Sequence, residues 1–278
     1  MPGASRPLDF LRPALTHLQM TPAPGTLTFQ CNVCGGACQW NLDELQRETP
    51  SCAACLSSPR VRAIVDILAR NFIGESIPLP DFPDRGSMQG LGLTDSESYA
   101  TRLARKFDYQ NTYFHQSPRL DIGGVLDPTQ FESYDFLISS EVFEHVTPPV
   151  ARAFENVFRL LKPGGLLVLT VPYGKQPETI EHFTELNDFT IDETEGHYVL
   201  TNRTRSGVIQ KFDQLVFHDG PGTTLEMRVF SEADLLQHLA TAGFSDIKFH
   251  HEPVFQYGIW WPQPWSRPIS ARKPKTGR

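Results

Sequence analysis

Four cysteines in two Cys-x2-Cys pairs, Cys31/Cys34 and Cys52/Cys55, are the residues whose spacing dictates chemistry most directly. Each pair presents two thiolates from one tight turn, and two such turns supply the four soft ligands that tetrahedral zinc takes. Four protein ligands leave no open coordination position, so the zinc is expected to be structural, stapling a segment with too little core of its own. Cys38 lies between the pairs and reads as a free thiol, with replacement of one ligand as the alternative. The cysteine count is odd and no apolar signal sequence precedes the pairs, which argues against a disulfide framework and for a cytoplasmic setting.

The second concentration of chemistry is the run from Tyr134 to Pro172, with Ser139, Ser140, Glu141 and His145 at its centre. Tyr134 to Ser139 and Leu166 to Val171 are short apolar runs suited to strands buried on both faces. Between them Val150, Phe154, Val157, Phe158 and Leu161 recur at helical spacing, with Pro148-Pro149 before and Pro163-Gly164-Gly165 after. The run therefore predicts a right-handed strand, helix, strand crossover in a parallel sheet. Ser231 to Gly243 reads as a capped amphipathic helix, followed by two candidate strands in FSDIKFHHEP and PISARK.

These segments, SSEVFEHV and LLKPGG above all, resemble the fourth and fifth strands of class I S-adenosylmethionine-dependent methyltransferases of the type 11/23-like group. The likeness runs over roughly residues 74–274. It implies a Rossmann-like α/β sheet with helices on both faces, and S-adenosylmethionine bound beyond the carboxyl ends of the strands. Ser139, Ser140, Glu141 and His145 then form the cofactor-side segment; a helix-start carboxylate and a partly buried imidazole are the alternative for Glu141 and His145.

The chain departs from that family at the glycine-rich turn after the first strand. The corresponding stretch, Gly74 to Arg85, holds no glycine cluster, and MQGLGLTD reads as the second strand, ending in Asp95. Asp95 is the candidate to hold the ribose diol, with a helix-start carboxylate as the alternative. Asp121 and Ile122 are candidates to frame the adenine, and Asp81 to follow the first strand. Some bacterial methyltransferases with an N-terminal cysteine cluster look similar in lacking that glycine turn.

Organisation follows from these assignments. Residues 1–24 read as a loose leader, 25–73 as a zinc-binding module with a linking helix, and 74–278 as the methyltransferase domain. Within the last, residues 173–230 form an insertion far longer than an ordinary strand-to-helix loop, carrying a β-hairpin about Arg205-Ser206-Gly207 and expected to cover the site. The insertion holds His182, His197 and His218. Transfer of a methyl to a hydroxyl needs a base beside the acceptor oxygen, and imidazole suits that proton step near neutral pH. His218, in HDGPGTT, is the preferred candidate, with His182 and His145 beside it; an imidazole satisfied by a neighbouring carbonyl is the alternative. Arg228 could hold a substrate anion or pair with a surface carboxylate, and Arg60 and Arg62 read as a solvated helix face, with binding of an anionic part of the substrate as the alternative.

At 278 residues and 40% apolar content the chain can bury a full core, and no stretch of about eighteen apolar residues spans a membrane. The formal charge of -7 disfavours a nucleic-acid partner. Tryptophans in QYGIWWPQPWSRP suggest a platform for sugar faces, with a core-edge packing role as the alternative. The expected activity is O-methylation of a sugar, glycoconjugate or small hydroxylated metabolite, that is, of a small-molecule or glycan acceptor. A methyltransferase-like adapter without cofactor binding and an RNA base methyltransferase are the alternatives, and the sequence leaves the oligomeric state open.

Overall fold

The computed structural model describes residues 25–218 and 220–275; the leader expected over residues 1–24 lies outside them. The chain begins with an antiparallel hairpin, β1 (Thr26–Gln30) and β2 (Ala37–Asn41). Helix α1 (Pro59–Phe72) follows the second cysteine pair. Ser58 caps it, accepting from the Val61 amide, and Pro59 occupies the first turn, where its missing N–H costs nothing. Ten of its fourteen residues are buried, because it is sandwiched between the hairpin and the sheet.

Next come β3 (Arg85–Leu93), α2 (Glu97–Leu103), β4 (Phe107–Thr112), β5 (Tyr134–Ser140), α3 (Ala151–Leu160) and β6 (Leu161–Thr170). The insertion contributes β7 (Tyr173–Gly174), β8 (Ile180–Glu181), β9 (Asp188–Thr194), β10 (His197–Arg203), β11 (Ile209–Phe212), β12 (Phe217–His218), β13 (Thr224–Leu225) and β14 (Arg228–Ser231). The chain closes with α4 (Glu232–Ala242), β15 (Ser245–Phe249) and β16 (Ile269–Arg272). Ser231 accepts from the Asp234 amide at 3.0 Å to open α4, and Gly243 ends it at φ 104°, a left-handed conformation that glycine adopts without strain.

The main sheet has six strands in the order β15-β16-β6-β5-β3-β4, with β4, β3, β5 and β6 parallel and β16 antiparallel to both its neighbours. Alternation along the strands divides the core. Phe136, Ile138, Leu166 and Val168 face α1 and the β1–β2 hairpin, whereas Leu91, Leu137, Leu167 and Leu169 face α3 and α4. The N-terminal module thus shares one buried cluster with the sheet.

This order corrects the strand assignment. The strand bearing Gly90 and Gly92 is the first of the parallel sheet, flanked by β5 and β4; the second is β4. Its glycines answer to packing: a Cβ on Gly90 would enter the Phe136 ring and one on Gly92 would meet the Tyr109 hydroxyl and Asp95. In the insertion, β9, β10 and β11 form a three-stranded antiparallel sheet, with the β10–β11 turn tightened by Gly207 at φ 87°. The strand pair β7 and β8 flanks β14 and returns the insertion to the sheet edge.

The tryptophans do not form an exposed platform. Trp261 is buried, Trp260 stacks on Phe255 with centroids 5.6 Å apart, and Trp265 alone of the three is exposed. No helix among the described residues is long and apolar enough to cross a membrane.

Candidate functional site

The carboxyl ends of β3, β4 and β5 lie side by side, and the residues just beyond them define the edge where an open parallel sheet takes its ligands. Where a glycine-rich turn would follow β3, the chain runs Leu93-Thr94-Asp95-Ser96, with Thr94 at φ 56°. Asp95 therefore closes the first strand and not the second. It is buried; Tyr99 donates to one carboxylate oxygen at 2.5 Å and Tyr109 donates to the other. Burial pushes this carboxyl up to about 7, against the pull of both tyrosine hydroxyls and Arg60. Both oxygens are engaged within the protein, so the arrangement does not match a free carboxylate waiting for a ribose diol. Asp81 sits in a short turn, Leu79–Asp81, before β3 begins, roughly 25–30 Å of strand from the carboxyl edge, and so lies at the wrong end of the sheet.

The segment after β5 is differently placed. Ser139 is fully buried and its hydroxyl has no partner. Ser140 accepts from Arg60 and from Thr170, the latter at 3.2 Å. Glu141, at φ 57°, is held by Arg47 through two hydrogen bonds of 2.7 and 3.0 Å, with Arg60 3.9 Å away. Burial alone would raise its carboxyl, yet the Arg47 and Arg60 guanidiniums hold it down at about 2. Arg47 carried no signal in the sequence reading. Arg60 is mostly buried and Arg62 wholly so, which overturns the solvated-face expectation for both. Asp121 accepts from the Gly123 amide at 2.9 Å, and Ile122 is buried beside it, its carbonyl and that of Gly124 held by Asn156 at 2.8 and 3.0 Å.

One turn further on, Phe143–His145, the structure gathers residues from distant parts of the chain. Glu144 is fully buried with neither oxygen hydrogen-bonded. Burial and the nearby Glu141 charge push its carboxyl well above the usual range. His145 is held through Nδ1 by the Leu225 carbonyl at 2.8 Å, leaves Nε2 3.6 Å from Glu144, and meets the His218 ring edge-on with centroids 4.6 Å apart. Burial lowers the His145 pKa. Glu226 joins the other two candidate histidines: one oxygen lies 3.0 Å from His182 Nε2 and the other 2.9 Å from His218 Nε2. His145, His182 and His218, separated by tens of residues, thus form one constellation beside the end of β5. Glu144 and Glu226 were missed, although Glu144 stands within the SSEVFEHV run.

Arg228 holds this turn. Its guanidinium is fully buried and donates to the Phe143 and Val146 carbonyls at 2.8 and 2.6 Å and to Glu181 at 2.7 Å. Its Nε and Nη1 are spent on the protein, whereas Nη2 is buried without a partner; the carboxylate it pairs with, Glu181, comes from the insertion. The Glu144 carbonyl accepts from the Met227 amide at 2.8 Å, so the insertion and the β5 loop are joined at both ends of the turn.

At the N-terminal module, Cys31, Cys34, Cys52 and Cys55 bring their sulfurs within 4.8 Å of one another. The Cys31–Cys55 and Cys34–Cys52 pairs are 3.6 Å apart. Sulfurs on tetrahedral zinc, about 2.3 Å from the metal, lie about 3.8 Å apart, so the set fits that ion. Cys38 stands outside the group, its thiol directed at the Gly36 carbonyl at 3.7 Å. Arg62, the buried cation of the module, donates to the Ser57 and Gly258 carbonyls at 2.6 and 2.8 Å and to Ser51 at 2.8 Å, and it faces no carboxylate. A tetrathiolate metal centre carries net negative charge, and three of the four ligands, Cys31, Cys52 and Cys55, act on that guanidinium together with Cys38.

A search of curated proteins finds no match. Among solved structures, similarity extends to a sugar N-methyltransferase, KedS8, from Streptoalloteichus sp ATCC 53650, at 15% identity over 77% of this chain and 86% of that one, TM-score 0.42. CalS10, an amino pentose methyltransferase from Micromonospora echinaspora, matches at 13% identity over 78% and 92%, TM-score 0.42. An S-adenosylmethionine-dependent methyltransferase from Clostridium acetobutylicum ATCC 824 matches at 12% identity over 68% and 84%, TM-score 0.39. The family described as "Methyltransferase domain" matches residues 34–248, most of the chain. By that match the chain belongs to the methyltransferase-domain family and is an S-adenosylmethionine-dependent methyltransferase.

Proposed function

We propose that this enzyme methylates a hydroxyl oxygen of a small acceptor, a sugar, glycoconjugate or other hydroxylated metabolite, and that its four-cysteine module carries a structural zinc. The observation that carries the first part is the constellation of His145, His182 and His218 about Glu226, beside the end of β5. A hydroxyl becomes a competent nucleophile only as its proton leaves, and a neutral imidazole paired to a carboxylate is suited to receive it. S-adenosylmethionine supplies the methyl group, already activated on sulfur.

The chain's own residues would do the rest. Ser139, with a buried and unpartnered hydroxyl at the strand end, fits a polar group of the cofactor. Ser140 and Glu141 are fixed behind it by Arg60 and Arg47, which keeps the loop from relaxing into the site. Asp121 and Ile122 pack toward the same turn through Gly123, whose Cα approaches Val146 too closely for a side chain. The insertion segments that carry His182, just after β8, and His218, in β12, would exclude water and orient the acceptor, a contribution that rests on positioning. Zinc at Cys31, Cys34, Cys52 and Cys55, with Arg62 offsetting its charge, would rigidify the segment from which Arg47 and Arg60 reach the β5 loop.

The test is calorimetric titration with S-adenosylmethionine and S-adenosylhomocysteine, followed by a methyl-transfer screen that starts with sugars. Binding, and transfer that falls roughly 10²–10⁴-fold in His218→Ala or His182→Ala, is expected. Transfer to a hydroxyl acceptor at an unchanged rate in both variants would sink the histidine role, and absence of binding at millimolar cofactor would return the chain to the adapter alternative.

A further inference from the structure

Two groups of ligand-bearing side chains converge among the described residues, and only one of them is the cysteine set; the other is Glu144, His145 and His218. Each offers one ligand atom, all within 4.8 Å of one another. We infer that Glu144, His145 and His218 form a second metal site, for a divalent first-row cation, on the acceptor side of the enzyme.

The two imidazoles are arranged as metal ligands are. His145 faces the Leu225 carbonyl through Nδ1 at 2.8 Å, which makes that nitrogen the protonated one and leaves the lone pair on Nε2. Nε2 is the atom 3.6 Å from Glu144, too far for a hydrogen bond but within the separation of two ligands about 2.1 Å from a shared cation. His218 gives Nε2 to Glu226 at 2.9 Å, the carboxylate–histidine pairing that fixes an imidazole's tautomer and raises its basicity toward a metal. Glu226 is itself anchored on its other oxygen by His182 at 3.0 Å.

Glu144 supplies the independent observation. A fully buried carboxylate with no hydrogen bond to either oxygen is costly, and such groups are ordinarily paired or bound to metal. None of the neighbouring cations pairs with Glu144: Arg228 bonds Glu181 and two carbonyls, Arg47 bonds Glu141 and Glu48, and Arg60 bonds Glu48 and Ser140. A cation held by Glu144, His145 and His218 completes the charge balance. Two imidazoles and one carboxylate suit manganese, iron, cobalt or zinc better than magnesium or calcium.

Three protein ligands leave coordination positions open. On the O-methylation reading, on which this further step rests, His145 and His218 act as ligands and His182 remains to receive the proton, and the open positions would take the acceptor oxygen and a second oxygen beside it. The acceptor class narrows accordingly to vicinal diols and hydroxy acids.

Cobalt titration of the full chain, with its cysteine site loaded, tests the site directly, because thiolate-bound cobalt alone shows sulfur-to-metal charge transfer. One Co2+ per chain without that band is expected. Its affinity should fall at least about tenfold in Glu144→Gln and in His218→Ala, and roughly 10–100-fold in Glu226→Gln. Absence of saturable uptake, or uptake unchanged in Glu144→Gln and His218→Ala, would overturn the site. S-adenosylhomocysteine binding measured on the same samples separates the two ideas. Its retention without cobalt uptake sinks the cation alone, whereas cobalt uptake without it supports the cation and sinks the cofactor reading.

Discussion

Replacing Glu141 by Gln removes the charge that joins the N-terminal module to the β5 loop, and the cost can be worked from the structure. Arg47 grips both carboxylate oxygens, at 2.7 and 3.0 Å, and the Arg47 and Glu141 side chains are 18% and 22% exposed. The folded carboxyl titrates at about 2, against about 4.3 for an unfolded glutamate, which corresponds to about 3 kcal/mol at neutral pH. A Coulomb check agrees in order: unit charges about 4 Å apart attract by about 4 kcal/mol at an effective dielectric of about 20. Residual solvent contact trims the expectation to about 2–3 kcal/mol. Because the folded value is depressed, the contribution is complete above the unfolded value and is lost as pH falls through the folded one, reaching about half near pH 3. Urea unfolding of wild type, Glu141→Gln and Arg47→Gln would measure it. Each variant should lose about the same amount at pH 7, and the gap to wild type for Glu141→Gln should narrow on acidification. A gap below about 0.5 kcal/mol at pH 7, or one that widens in acid, would refute this electrostatic account.

Further outcomes concern the zinc, the first strand and its buried acid. Cys31→Ser or Cys52→Ser should lower bound zinc and melt the module, while Cys38→Ser keeps the metal; elemental analysis showing unchanged zinc in the first two would defeat the four-thiolate centre. Asp95 titrates at about 7 when folded because it is buried, so the native state keeps a proton that the unfolded chain releases near 3.9. Wild type should therefore lose stability between roughly pH 4 and 7, by at most about 4 kcal/mol, and Asp95→Asn should lack that slope in thermal melts. Identical slopes would show that the acid is ionised when folded. Gly92→Ala places a Cβ against the Tyr109 hydroxyl and 2.6 Å from Asp95 Oδ2, and should cost about 2–3 kcal/mol in the same melts. A variant as stable as wild type would mean that the ring moves aside freely.

Local patterns decided a good deal. The cysteine spacing placed four thiolates on two tight turns, the Ser231 and Gly243 caps bounded α4, and the apolar runs marked β5 and β6, all before any tertiary information entered. Each of these is a short-range property, set by turn geometry, capping or periodicity within a few residues. The lateral order of the sheet is not. Whether GLGL is a first or a second strand depends on which strands flank it, and pairing with β4 on one side and β5 on the other moved Asp95 from the ribose position to a buried tyrosine-bound one. Arg60 and Arg62 looked solvated because charged residues beside an apolar stripe, here Val61, Ile64, Val65 and Leu68, ordinarily face water. The structure buries them because that helix is covered on one side by the sheet and on the other by the cysteine turns. Histidines at 145, 182 and 218 were visible as residue types, but their meeting depends on the insertion folding back so that Met227 and Arg228 bond to the Phe143–His145 turn. Glu144 owes its character to that same closure, since only a contact between distant segments could take a carboxylate out of water without a partner.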